Sequence, residues 1–154
     1  MISIVQRKPT IEEYESIVAS VGFRTHDRAA VEIALANTVF AVCAVDDQEI
    51  VGVGRIVGDG AVSFLLTNIM VRPSHQRRGI GTRIVQSLCS QMETVPYKNV
   101  VLEVVALPGS QQFYERFGFK ASRQAPPGMV RWFNRSDAPT DSLKPTAGAA
   151  GVQP

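Results

Sequence analysis

Val71-Arg72-Pro73-Ser74-His75-Gln76-Arg77-Arg78-Gly79-Ile80-Gly81-Thr82-Arg83 is the stretch around which the chain organises itself. An apolar run ends at Val71, and Pro73 blocks simple extension of a sheet ladder because proline has no N–H to donate. Two glycines then open a segment in which Ile80, Ile84, Val85, Leu88 and Met92 fall on one helical face. Glycine admits backbone angles closed to other residues, and without a β-carbon it lets an anion approach the main chain. The first turn of a helix offers unpaired N–H groups and the positive end of its dipole. Strand, glycine bend and helix start together make an anion cradle. Arg72, Arg77, Arg78 and Arg83 add cations here, with no acid between them. Singly, each is an ordinary solvated arginine; their convergence on one helix end is what points to a phosphate-bearing ligand.

Two familiar cradles do not fit. A nucleoside-triphosphate loop needs Gly, four residues, Gly, Lys and Ser or Thr, which is absent. A dinucleotide fold needs three spaced glycines directly after an early strand. Gly52-Val53-Gly54 reaches Val57 where the third glycine should stand, so a twist or close-packing role inside a strand is expected there.

Outward from the bend, the periodicities alternate. Ile2 to Gln6 is a short strand. Thr10 and Glu13 form a capping box for a helix with Ile11, Tyr14, Ile17, Val18 and Val21 inward, stopped by Gly22. Asp27 can cap a second helix carrying Val31, Ala34 and Leu35. Strands follow at 39–45, 50–57 and 62–71, joined by the polar turn 46–49 and by Gly58-Asp59-Gly60. After the glycine-bend helix come a strand at 100–106 and a helix with Phe113, Tyr114 and Phe117, capped by Ser110 and ended by Gly118. Phe119 begins another strand, and 129–133 forms a last one. The order βααβββαβαβ predicts an α/β fold: a central mixed, mostly antiparallel sheet with helices on both faces.

With 154 residues, 45% of them hydrophobic and 19% charged, residues 1–134 suffice for one domain with a full core. Residues 135–154 are rich in Pro, Gly and Ala and hold no aromatic, so a disordered or loosely held tail is expected. The formal net charge of +2 is too balanced for a surface built to hold nucleic acid. No apolar run can span a bilayer, and Met1 to Arg7 lacks the form of a signal peptide. Cys43 and Cys89 show no disulfide framework, and only His26 and His75 are present, so no metal site and a cytoplasmic location are expected. Neither cysteine has a base partner that would make it a nucleophile.

Gln76-Arg77-Arg78-Gly79-Ile80-Gly81, followed by Phe113-Tyr114-Glu115-Arg116-Phe117-Gly118-Phe119 after the next strand, resembles the GNAT superfamily of acyl-CoA-dependent N-acyltransferases. The resemblance covers roughly residues 2–134, and two motifs at the expected separation are far more specific than either alone. The stretch 53–60 is similar to one found in small bacterial members. The resemblance implies acetyl-CoA as acyl donor. Its pyrophosphate would rest on the bend, with Gln76, Arg77, Arg78, Gly79, Ile80, Gly81 and Thr82 as cofactor-binding residues. Pantetheine would pair with the main chain of Ile69, Met70 and Val71, between two splayed parallel strands.

Tyr114 matches the tyrosine that many members place near the sulfur, where a phenol can protonate the departing thiolate. The competing reading makes it one more core aromatic. A lysine-like amine, with pKa near 10.4, is only about one part in a thousand neutral at physiological pH, so a base or desolvation must strip its proton. The strand 64–70 has no carboxylate. Asn68 stands where similar sequences often have Asp, and can position a group but not act as base. Glu103 and His75 are the alternatives, and no base is assigned. Leu107 replaces an asparagine common in the family. Phe23, between the first two helices, and Asn68 are weak acceptor-site candidates. The resemblance leaves a homodimer open, with a non-catalytic acyl-CoA-binding module as the rival class and an arginine-based nucleic-acid binder as a weaker one.

Overall fold

The computed structural model describes residues 1–120. In chain order it has β1 (Ile2–Val5), α1 (Ile11–Ser20), α2 (Arg28–Ala36), β2 (Phe40–Asp46), β3 (Glu49–Gly58), β4 (Ser63–Val71), a 3-10 turn at Pro73–His75, α3 (Ile80–Met92), β5 (Val101–Val104) and α4 (Gln111–Glu115). The five strands lie in sequence order. Pairing is antiparallel from β1 to β4, and β4 pairs with β5 in parallel. The mixed, mostly antiparallel sheet read from the sequence is therefore present. Phe119 and Lys120 are irregular rather than the start of a strand. The strand expected at 129–133 and the tail at 135–154 lie outside the described residues.

Local chemistry explains most element ends. Thr10 Oγ1 accepts from Glu13 N–H, while the Glu13 carboxylate accepts from Thr10 N–H, so the capping box is complete. Arg7 also donates to both oxygens of that carboxylate and holds its pKa below the usual range. Phe23 N–H donates to Val18 O and Gly22 adopts φ +70°, which closes α1 in the expected way. The Asp59 carboxylate accepts from the N–H groups of Ala61, Val62 and Ser63 and thereby shapes the β3–β4 hairpin. Two expected caps are not made. Asp27 makes no side-chain cap on α2. Ser110 donates its hydroxyl back to Leu107 O instead of accepting from α4, which tightens the turn before the helix.

The sheet divides two apolar clusters. Tyr14, Ile17, Val18, Val31 and Leu35 from α1 and α2 cover Cys43, Val53 and Met70 on one face. On the other, Ile80, Ile84, Val85 and Leu88 from α3, with Phe113 and Tyr114 from α4, cover Val42, Ile56, Leu66, Ile69 and Val71. Gly54 is the point of closest approach beneath α3. A β-carbon there would stand 2.4 Å from Ile84 Cγ2 and 2.8 Å from Ile69 Cδ1, so the close-packing role expected for this glycine is observed.

One buried cation escaped the sequence reading. Arg55, on β3, is 5% exposed. Its Nε donates to Thr38 Oγ1 at 2.9 Å and its Nη2 to Ala34 O at 3.2 Å, and its guanidinium lies 5.6 Å from the centre of the Tyr14 ring. The group thus ties the C-terminal end of α2, where carbonyl oxygens gather, to the sheet.

Candidate functional site

The site grows out of an irregularity in β4. Arg55 faces Thr67 and Val53 faces Met70, so Gly54 alone stands opposite two residues, Asn68 and Ile69. This is a β-bulge, and Asn68 carries it at φ +52°. Asparagine tolerates the left-handed region better than any β-branched or bulky residue. The bulge bends the strand where its other neighbour gives out: β5 pairs with β4 only from Ser63–Val101 to Leu66–Val104. Beyond Leu66 the two strands part.

A cleft of about 260 Å³ occupies the parting, lined by Phe23, Leu65, Leu66, Thr67, Asn68, Ile69, Val104, Val105, Leu107, Ser110 and Tyr114. Its lining comes from both faces of the sheet. Leu66, Ile69 and Tyr114 belong to the α3–α4 cluster. Phe23 packs on the α1–α2 cluster, and Thr67 pairs with Arg55, whose guanidinium sits over Tyr14 of α1. The cleft therefore passes through the sheet rather than lying on one side of it.

Tyr114 is 6% exposed and stacks edge-on against Phe113 and Phe119, with ring centroids 5.0 and 5.9 Å away. Burial pushes its phenol above the ordinary value near 10, so the hydroxyl keeps its proton throughout the neutral range. Core aromatic and cleft wall are thus one residue. Phe23 and Asn68, expected at an acceptor site, lie on the same cleft wall. Leu107, 46% exposed, lines it too.

The glycine bend follows β4 directly. Arg77 adopts φ +58°, and Gly79 caps α3 at φ +73° with nothing within 4 Å of where a β-carbon would stand. The first intrahelical donor after the cap is Arg83, to Gly79 O. Among the described residues no side chain caps the start of α3. The amides of Ile80, Gly81 and Thr82 thus form the open first turn expected of a cradle. Gly81 lies against α4, where an added β-carbon would sit 3.7 Å from Phe113 Cζ.

The four-arginine cluster divides. Arg77 and Arg78 are exposed on the bend. Arg72 is turned away: its Nε donates to Ile50 O, its Nη2 to Ser16 Oγ, and it lies 3.3 Å from a Glu49 carboxylate oxygen. Arg83 donates to Ile2 O. A count along the sequence carries no direction, and these two side chains anchor the loop and helix to the body. The Gln76 side chain likewise bonds within the protein, to Val71 O. His75 is half-buried, with Nε2 3.6 Å from Asp46 Oδ2 and Nδ1 2.8 Å from Ser74 Oγ. Glu103 is exposed on β5 and is not among the cleft residues. Cys43 is wholly buried, and burial pushes its thiol up to about 11, which removes it as a thiolate nucleophile at neutral pH. Among the described residues no group of three or more His, Cys, Asp or Glu could hold a metal, and no helix is long and apolar enough to cross a membrane.

Split sheet, through-going cleft and helix-start bend are the architecture that the family resemblance implies. A family model described as an acetyltransferase (GNAT) domain matches residues 12–133, and the chain belongs to the GNAT family of acetyltransferases. It is 28% identical over 123 residues to the chloroplastic GCN5-related N-acetyltransferase 1 of Arabidopsis thaliana, a match covering 78% of this chain and 61% of that protein. The chain thus spans less than two thirds of that relative's length. Among solved structures, a Staphylococcus aureus protein of unknown function described as a probable acetyltransferase superposes with a TM-score of 0.78 at 27% identity, covering 86% of this chain and all of the other. A GNAT-family acetyltransferase of Streptococcus pneumoniae gives 0.73 at 26%, covering 88% and 100%.

Proposed function

We propose that the protein transfers an acetyl group from acetyl-CoA to a primary amine, by direct attack in a ternary complex. The observation that carries this is the adjacency of three features around one strand. Among the described residues, β4 has an open edge beyond Leu66, a buried tyrosine beside that edge and, past the bend that follows it, a helix start that no side chain caps.

The residues present fit acetyl-CoA. The main chain from Arg77 to Thr82 would hold the diphosphate, since amide donors at a helix start suit an anion, with the Arg77 and Arg78 guanidinium groups adding positive charge. The open edge at Ile69, Met70 and Val71 would pair main chain to main chain with the pantetheine amides. When bound, the donor supplies a thioester, whose carbonyl carbon the acceptor nitrogen attacks as the carbon–sulfur bond breaks. Tyr114 holds a proton in the cleft and would pass it to the departing thiolate, and the proton shed by the acylated nitrogen would restore the phenol; its raised pKa keeps that proton available. Phe23, Thr67 and Asn68 would receive the amine from the α1–α2 side. This division of the cleft lets donor and acceptor enter from opposite faces of the sheet. We place the activity in the cytoplasm.

The test is thiol release from acetyl-CoA across a broad amine panel, with expected amine-dependent turnover that Tyr114→Phe lowers. The cleft walls among the described residues offer neutral Thr67 and Asn68 where a basic group would serve. That feature favours the second reading, an acyl-CoA-binding module, which binds acetyl-CoA and gives no turnover with any amine.

A further inference from the structure

Gln76 closes a short loop back onto the end of β4. Arg72 N–H donates to Val51 O at 2.8 Å, so that amide faces β3. No described peptide bond is cis, and across a trans peptide the carbonyl points opposite to the next N–H. The Val71 carbonyl therefore faces away from β3, toward the edge that β5 has left. It is not bare: Gln76 Nε2 stands 3.0 Å from it. Only the amide nitrogen of glutamine can donate to a carbonyl, so the orientation of this side chain follows from its partner. Gln76 N–H meanwhile reaches toward Pro73 O at 3.4 Å. The next residue, Arg77, is left-handed at φ +58°, and Gly79 follows at φ +73°.

From this geometry we infer that Gln76 is a positioning residue for the donor site and not a direct ligand of the cofactor. The inference rests on the donor-site reading above. Its side-chain amide satisfies the last open-edge carbonyl of β4 and closes the five-residue step from Val71 to Gln76. That closure fixes where the chain turns left-handed, and hence the direction in which the Ile80, Gly81 and Thr82 amides point. The same bond marks the end of the strand edge available for main-chain pairing: the Val71 carbonyl is occupied by Gln76, while its N–H lies on the same side, the edge that β5 has left.

Three variants test it. Gln76→Leu removes the donor, Gln76→Glu leaves only acceptors facing a carbonyl, and Gln76→Arg retains a donor. In the ligand-free protein, the Leu and Glu variants should lower backbone order parameters at residues 75–79 from about 0.85 to below about 0.6, leaving α3 beyond Val85 unchanged. Their acetyl-CoA KM should rise roughly tenfold, the worth of one hydrogen bond, with kcat at saturation unchanged. Gln76→Arg should restore both. A raised KM without any change in ligand-free loop order would overturn the inference and make Gln76 a direct contact. Unchanged order and unchanged KM in the Leu variant would also overturn it. A wild-type protein that binds no acetyl-CoA would refute the donor-site reading instead, and the ligand-free order parameters would still decide the role of Gln76.

Discussion

The two halves of β4 lie in one strand and differ at one edge. Residues 64–66 are paired on both sides, by β3 and β5, whereas among the described residues Thr67, Met70 and Val71 are paired by β3 alone, with Asn68 and Ile69 in the bulge. Composition does not separate them: Phe64 and Leu66 in the first half are as buried as Ile69, Met70 and Val71 in the second. What separates them is one extra residue, accommodated by Asn68 at positive φ, opposite a glycine that lets α3 press on the sheet. A doubly paired half and an open-edged half are thus made from the same apolar sequence by a single backbone irregularity. Unpaired main chain costs stability unless something satisfies it, so an open edge beside a cleft is itself a reason to expect a ligand there.

Gly54→Val strikes this comparison hardest. It drives a branched side chain into Ile84, Ile69 and Leu88, and should cost about 3 kcal/mol in urea unfolding. Wild-type stability in this variant would mean that the approach of α3 at the bulge is loose. Next comes Tyr114→Phe, which should lower kcat about hundredfold while acetyl-CoA affinity and folding stability stay near wild type. A loss confined to folding stability would place Tyr114 in packing alone. Because burial raises the Tyr114 pKa, the phenol acid should persist as pH rises, with no alkaline loss of kcat from this group until above its ordinary value near 10. An alkaline limb near neutrality that Tyr114→Phe abolishes would contradict that assignment. Asn68→Val is smaller: a β-branched residue at positive φ should cost about 2 kcal/mol, whereas Asn68→Gly should keep both stability and acetyl-CoA binding. Equal behaviour of the two would show that the bulge does not depend on the left-handed residue. Smallest is Gly79→Ala, where strain alone acts, since no atom crowds the position; about 1 kcal/mol is expected. It should appear mainly as weaker acetyl-CoA binding.

Much of this was legible before any coordinates. Thr10 and Glu13 announced the start of α1, and glycine spacing after an apolar run announced the bend, because both signals are local and are satisfied within a few residues. The parting of β4 and β5 came only through the family resemblance, since pairing between distant strands leaves no mark in either one. Asn68 shows its lack of a carboxylate in the sequence but not its backbone role: a side chain is visible in a sequence, a φ angle is not. Arg72 and Arg83 fall in the same basic run as the bend, but charge along a chain has no direction. Arg55 had a usable signal, a lone cation inside the apolar run Ile50–Val57, and that pattern marks a buried arginine whose hydrogen bonds must all be supplied by the fold.

The central claim, that open main chain on β4 and at the start of α3 grips an acyl-CoA, is tested most directly by titrating CoA into ¹⁵N-labelled protein and following every backbone amide. The largest shifts should fall at Ile69 to Val71 and at Arg77 to Thr82, with β1 and β2 silent. No shift at saturating CoA, or shifts that avoid both segments, would contradict the claim.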